Sequence, residues 1–216
     1  MRHIDIFNPY EFHVPIHIIG AGATGSFTAC SLAKLGIKDI HVYDFDVVEE
    51  HNYYNQYYSK DKVGLPKVEA LSQMLDGIIP HNVRVTEQMV RGMDGIVIVM
   101  VDSMKVRAEI FEGVKKNNKL FRLIDARMGA DTFTIYEYQH YNTKLYTNYQ
   151  NSLYNDDEAE TTTCGEVLSV VGTAMAVGSW VCWRIINLNK GKSSVGAYAG
   201  SLSHEQFMVM SSSEVI

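Results

Sequence analysis

Apolar and polar positions follow two rhythms along this chain, and each change of rhythm marks an element. VPIHII (14–19) is a continuous apolar run of strand length that stops at Gly20. Residues 23–35 then carry apolar side chains at helical spacing, and Gly36 closes the run. DIHVYD (39–44) predicts a second strand. Pro66 suits a helix start, where its missing N–H costs nothing, and the pattern continues to about Leu75. NVRVTEQ (82–88) and GIVIVMV (95–101) read as strands, and Asp102 and Ser103 are capping residues for a helix through Val114. LFRLID (120–125) and the alternating TFTIYEYQ (132–139) predict two more strands. Residues 140–163 are polar, with Tyr141, Tyr146, Tyr149, Tyr154 and the acidic NDDEAE, and predict a crossover loop. An uncharged helix is expected at 167–183, and SVGAYAG with EQFMVMS predicts a C-terminal hairpin.

Strand–helix alternation of this kind predicts an α/β fold: a Rossmann-like, mostly parallel sheet flanked by helices, as one domain over 1–216. Ligands in such sheets bind beyond the carboxyl ends of the strands. Asp44, Asp46, Asp102 and Asp125 all fall at predicted strand ends, so they are expected to converge on one crevice.

Composition narrows the function. The 216 residues are 46% hydrophobic and 20% charged, enough for a real core. The net charge is −6 with no Lys/Arg cluster, which argues against nucleic acid as a partner. The N-terminus lacks the charged head and apolar stretch of a signal peptide. Cys30, Cys164 and Cys182 form no CxxC, so neither a disulfide framework nor a cysteine zinc site is expected, and the reading is a reducing, cytoplasmic setting. The helix at 167–183 falls short of the roughly 20 apolar residues of a membrane span, and it carries Ser169, Thr173 and Ser179. A buried helix is expected there.

GAGATG (20–25) is a G-x-G-x-x-G between strand and helix. In that context Gly20 allows the tight turn, Gly22 lets backbone approach phosphate, and Gly25 lets helix and strand pack closely. The helix N-terminus then offers N–H donors to an anion. Asp44 ends the next strand, where a carboxylate takes ribose hydroxyls. A glycine turn without ligand is the plainer alternative. This much suits any dinucleotide enzyme. The stretch VYDFDVVEEHNYYNQYYSKDKVGLPK (42–67) adds Asp46, the amides Asn52 and Gln56, and Lys67. Attack at an α-phosphate expels pyrophosphate and needs cations, which a lysine and an aspartate-held Mg²⁺ supply. Lys67 and Asp102 are the candidates, although by composition alone Lys67 reads as a solvated lysine.

Residues 18–71 resemble the ThiF/MoeB family, the nucleotide-binding core of ubiquitin-activating enzymes, whose pattern is GxGxxGS, DxDxVe, NlnRQ and diGkpKa in that order. VDSMKVR (101–107) and TTTCGEVLSVVGTAMAVGSW (161–180) look like later family motifs. The resemblance implies a homodimeric enzyme that binds Mg-ATP and adenylates the C-terminal carboxylate of a small ubiquitin-like protein or peptide. Thioester or sulfur transfer follows in some relatives. It implies Gly20, Gly22 and Gly25 near phosphate, Asp44 on ribose, and Asp46, Asn52, Gln56 and Lys67 around the triphosphate. Asp102 would orient the metal. Cys164 stands where some relatives keep a sulfur nucleophile. A helix N-terminus lowers a thiol pKa, the acidic run at 156–160 raises it, and a plain helix-cap residue is an equal reading.

The chain departs from the pattern in three places. Asn55 replaces the arginine of NlnRQ, losing a bidentate phosphate donor. The zinc CxxC pairs of many relatives are absent, and Arg2 is the only arginine of the N-terminal segment. The alternative is therefore a catalytically weakened nucleotide-binding partner subunit. A third reading, an NAD- or FAD-dependent oxidoreductase, rests on the glycines alone.

Overall fold

The computed structural model describes residues 1–139, 143–154, 170–192 and 196–211. Its first half is a run of strand–helix units: β1 (Ile16–Ile19), α1 (Ala23–Leu35), β2 (Ile40–Asp44), α2 (Lys67–Met74), β3 (Ile78–Asn82), α3 (Glu87–Val90), β4 (Gly95–Val99) and α4 (Met104–Lys115). Then come β5 (Leu120–Met128), β6 (Thr132–Tyr138), α5 (Thr143–Asn151), α6 (Val171–Asn189), β7 (Gly196–Ser201) and β8 (Gln206–Ser211). The sheet order is β3-β2-β1-β4-β5-β6-β7-β8. β1 to β5 pair in parallel, and β5 to β8 pair antiparallel. The α/β, Rossmann-like class is thus as the sequence predicts.

Each face of the sheet has its own core. On one face Ile16, Ile18 and Ile124 pack with Leu32 of α1 and Val181 and Ile185 of α6. The two helices meet closely because Gly178 of α6 lies against the Phe27 carbonyl of α1, where a Cβ would stand 2.9 Å from that backbone. On the other face Ile19, Val97 and Val99 pack with Ile110 and Phe111 of α4 and Tyr149 of α5. All of β4 is buried, which explains its unbroken apolar run.

Four expectations change. The strand expected at 82–88 lies earlier, at Ile78–Asn82, and α3 follows with Thr86 accepting a cap hydrogen bond from Met89 N at 3.4 Å. Pro80 hides that strand in the sequence. It is tolerated because β3 is an edge strand with one unpaired side. Second, β5 continues past Asp125 to Met128, so Asp125 is inside a strand rather than at its end. Third, the crossover at 140–163 contains α5, and residues 140–142 and 155–163 lie outside the described residues. Fourth, the helix expected at 167–183 is described as Val171–Asn189. It accommodates Arg184 by an ion pair with buried Glu137 at 2.6 Å. Among the described residues no helix is long and apolar enough to cross a membrane.

Candidate functional site

The parallel topology puts the carboxyl ends of β1, β2, β4 and β5 side by side, and a cavity of about 1210 Å³ opens there. Gly20, Gly22, Asp44, Asp46, Gln56, Lys67 and Asp102 all line it. Residues from distant parts of the chain therefore share one wall, as strand-end geometry requires.

The glycine turn divides its labour. Gly20 has φ +100°, and a Cβ there would lie 2.6 Å from Met100 O. A Cβ at Gly25 would lie 1.9 Å from Gly20 O, so helix and turn pack as only glycine permits. Gly25 consequently faces the turn and is not among the lining residues. At Gly22 a Cβ would meet nothing within 4 Å. That space lies at the start of α1, where unpaired N–H groups and the positive helix end favour an anion.

Asp44 is tied to the same turn. Its Oδ2 accepts from Ala21 N at 2.6 Å and its Oδ1 from Asp46 N at 2.8 Å. An ionised carboxylate has about four acceptor positions, so two bonds leave capacity for hydroxyl donors. Tyr58, to which sequence reasoning gave no site role, holds the next peptide of the turn: its hydroxyl donates to Ala21 O at 2.7 Å. Burial pushes its phenol pKa up, and the Asp44 and Asp46 charges push it further. Tyr58 therefore stays a neutral donor. Tyr57 N donates to Ser26 Oγ at 2.9 Å, fixing the segment to α1.

Lys67 opens α2, where a cation opposes the helix dipole at a cost of about 0.3–1 kcal/mol. Asp46 offsets this. Lys67 Nζ donates to Asp46 Oδ2 at 3.0 Å, and Lys67 N donates to Asp46 O at 2.9 Å. The pair fixes an ammonium at the crevice wall. Asn52 behaves differently from expectation. It is buried, its Oδ1 accepts from Glu49 N at 2.9 Å, and it braces the 3-10 turn Glu50–Tyr54. It does not line the crevice, whereas Asn55 and Gln56 do.

Asp102 precedes α4 with an exposed side chain facing the crevice, and Ser103 caps that helix by accepting from Val106 N at 3.3 Å. Among the described residues no three His, Cys, Asp or Glu side chains gather as a metal cluster. Mg²⁺ at a nucleotide needs only one or two carboxylates, its remaining positions being filled by phosphate and water, so the Asp102 donor set fits that ion.

Asp125 departs from expectation. It is fully buried and forms ion pairs with Arg107 and with Arg127, the latter at 2.9 Å. A buried carboxylate persists only when paired, so Asp125 serves as an internal counter-ion rather than a ligand. Arg107 also donates to Val101 O and, at 3.0 Å, to Ala126 O, tying the Asp102 turn to β5. Burial lowers its pKa to about 10, leaving it charged at neutral pH. Sequence reasoning met Arg107 only as the end of VDSMKVR, without a partner for it, and missed Arg127. The available signal for Arg127 was period-two spacing: once β5 extends to Met128, Arg127 shares a face with Asp125. Cys164 lies outside the described residues.

The ThiF family model matches residues 12–203. Among curated proteins, the chain is 35% identical over 77 residues to ubiquitin-like modifier-activating enzyme 5 of Drosophila ananassae, covering 33% of this chain and 19% of that protein. It is 40% identical over 65 residues to the enzyme of the same name from Oryza sativa subsp. japonica, covering 30% of this chain and 15% of that protein. Among solved structures, Escherichia coli MccB with MccA-N7isoASN matches with a TM-score of 0.76 at 16% identity, over 92% of this chain and 64% of that one. MccB with ATP matches with a TM-score of 0.68 at 15% identity and the same coverage. PaaA matches with a TM-score of 0.71 at 17% identity, again over 92% and 64%. The chain thus aligns with about a fifth of the curated relatives and under two thirds of the structural ones.

Proposed function

Because the chain belongs to the ThiF family, we propose that it binds ATP with Mg²⁺ and adenylates the C-terminal carboxylate of a small ubiquitin-like protein or peptide. The observation that carries this reading is the shared crevice. The open Gly22 turn, the anchored Asp44, the fixed Lys67 ammonium and the Asp102 carboxylate face one cavity of about 1210 Å³. Ligand pockets commonly measure about 300–1,000 Å³, so there is room for a second substrate beside a nucleotide. The cavity also continues past the nucleotide-facing residues to Gly129, Thr132, Thr134 and Tyr154. That extension suits an extended tail whose end reaches an α-phosphate. The relatives are consistent with such a partner, since they are activating enzymes for ubiquitin-like modifiers and MccB has been solved with ATP and with MccA.

In this reading Asp44 takes the ribose hydroxyls and the Gly22 turn approaches the phosphates. Lys67 stabilises charge on the departing pyrophosphate. Asp102 would hold Mg²⁺, which supplies further charge neutralisation when bound. The setting is cytoplasmic and the assembly a homodimer, with the exposed Val171, Met175 and Trp183 of α6 as apolar surface to cover. Light scattering at micromolar concentration checks the dimer; a clean monomer rejects it.

ATP–pyrophosphate exchange tests the chemistry. Exchange should require a free C-terminal carboxylate and vanish when that terminus is amidated. A second reading is favoured by Asn55, which lines the crevice with an amide where the family pattern has a cation. If an ATP analogue binds but no carboxylate partner supports exchange, the chain is a nucleotide-binding subunit.

A further inference from the structure

Carboxylate activation brings two anions together. A carboxylate oxygen must form a bond to the α-phosphorus while the bond from that phosphorus to the bridging oxygen breaks. The electron pair leaves with pyrophosphate, and no proton or oxidant is consumed. Lys67 sits on the Asp46 side of the crevice, and Asp102 adds a further negative charge. The approach of the carboxylate therefore calls for a cation on the β5–β6 side.

One residue there has the required properties. Arg127 lines the crevice on the same side as Thr134 and Tyr136 and is only 9% exposed, so its charge is poorly screened. The β4–β5 register pairs Val99 with Asp125, and Arg127 lies two residues beyond. Continuing that register sets it beside the Val101–Asp102 turn, to which β5 is already tied through Arg107. Its guanidinium is oriented before any ligand arrives. Nε and Nη2 donate to Asp125 Oδ2 at 3.0 and 2.9 Å, and the plane lies over the Tyr136 ring at 4.4 Å. Asp125 carries one negative charge against the two guanidinium groups of Arg107 and Arg127, and the other carboxylate acting on Arg107 is Asp102, the one assigned to Mg²⁺, so with that ion bound the cluster keeps an excess positive charge. The other partners of Arg127 are neutral: Ser152 O at 2.7 Å, Ser152 Oγ at 3.1 Å and the Tyr149 hydroxyl. A carboxylate is a stronger acceptor for the same donors.

We propose that Arg127 anchors the carboxyl end of the acyl substrate beside the α-phosphate, taking it in place of Ser152. This rests on the adenylation reading and assigns the acyl half of that site. Asp125 and Arg107 act through Arg127, as positioning residues that hold its plane and leave its charge uncancelled.

The test separates the acyl half from the nucleotide half without needing the natural partner. Wild type, Arg127→Gln, Arg127→Lys and, for Lys105 of α4 as another cation lining the crevice, Lys105→Gln are titrated with the non-hydrolysable analogue AMPCPP and with glycylglycyl-sulfamoyl-adenosine, in which an acyl carbonyl stands for the bound carboxylate. Arg127→Gln should bind AMPCPP within about threefold of wild type and lose tenfold or more for the acyl analogue. Arg127→Lys keeps the charge without the planar fork and should fall between. Equal loss for both ligands in both Arg127 variants means that Arg127 only supports the fold, and overturns the proposal. Unchanged acyl affinity in Arg127→Gln, or a loss that appears in Lys105→Gln instead, also overturns it and leaves the adenylation reading standing. If wild type binds neither ligand at millimolar concentration, the adenylation reading fails and this inference falls with it.

Discussion

Lys67 and Asp46 form an ion pair of 3.0 Å in which the lysine side chain is 9% exposed and the aspartate 53%. The asymmetry sets the expected roles. The ammonium is held at the crevice wall, whereas the carboxylate that holds it remains solvated and contributes little to stability, within about 1 kcal/mol. Lys67→Ala should therefore fold normally and bind AMPCPP with modest loss, while pyrophosphate exchange falls at least a hundredfold, because charge develops on the leaving group only during reaction. Asp46→Asn should shift the exchange rate more than nucleotide affinity. An AMPCPP titration beside an exchange assay measures both. Equal loss of affinity and rate would assign Lys67 to ground-state binding alone.

Asp44 couples ligand binding to loop stability. Its carboxylate satisfies Ala21 N, and Ala21 is fully buried, so Asp44→Ala leaves an amide donor unpaired. That costs about 1–3 kcal/mol. The same change removes the acceptor for ribose hydroxyls. ATP should no longer raise the thermal midpoint of the variant, and its urea midpoint should drop even without nucleotide. Tight NAD binding by wild type with no response to ATP would return the protein to the oxidoreductase reading.

A pH effect is expected from the histidines of the β1–β3 strands. Buried His17 has its pKa lowered from 6.5 to about 4, first by burial and then by neighbouring His41. Asp94 and Asp39 oppose the shift without cancelling it. Its Nδ1 lies 3.0 Å from the Tyr43 hydroxyl, and its ring stacks on His41, which in turn stacks on His81. The unfolded chain protonates this imidazole near 6.5 and the folded chain only near 4. Stability is therefore fully present above about pH 6.5 and is lost as the pH falls through the interval down to 4. The loss attributable to His17 is about 2–3 kcal/mol, allowing for partial screening. Urea midpoints at pH 7.5 and pH 5 should differ, and His17→Gln should narrow the difference.

The fold and much of the lining of the candidate crevice were legible because they depend on local rules. A strand ending in GAGATG and a helix ended by Gly36 identify a βα unit, and strand ends gather wherever parallel strands share a sheet. Illegible features depended on tertiary context. Pro80 disguised β3, since only its edge position permits a proline there. Asp125 read as a crevice carboxylate because nothing local shows that β5 runs on to Met128, or that arginines at 107 and 127 will neutralise it. Asn52 fitted the family motif, yet its inward orientation follows from the turn it braces. Tyr58 carried no motif in the reading, although its hydroxyl holds the Ala21 carbonyl of the glycine turn while Asp44 holds the Ala21 amide.

The three glycines of the turn offer the sharpest separation of fold from function, because substitution at each meets a different obstacle. At Gly25 an added Cβ lands 1.9 Å from the Gly20 carbonyl oxygen, a backbone atom that cannot move without pulling β1 from α1. Gly25→Ala should destabilise by about 1–3 kcal/mol or more, the range for overpacking a filled site. At Gly20 the obstacle is double: Met100 O at 2.6 Å, and a φ of +100° that an alanine adopts only under strain. Gly22 is the informative case. Its Cβ would meet nothing within 4 Å, and its φ is outside the left-handed region. Gly22→Ala should therefore keep the wild-type urea midpoint within about 0.5 kcal/mol. If phosphate lies where the resemblance implies, the methyl occupies the approach of the triphosphate, and AMPCPP affinity should fall tenfold or more. A variant that folds like wild type and binds AMPCPP as well as wild type would move the phosphates away from this turn, and the assignment of Lys67 and Asp102 to the same reaction would lose its geometric basis.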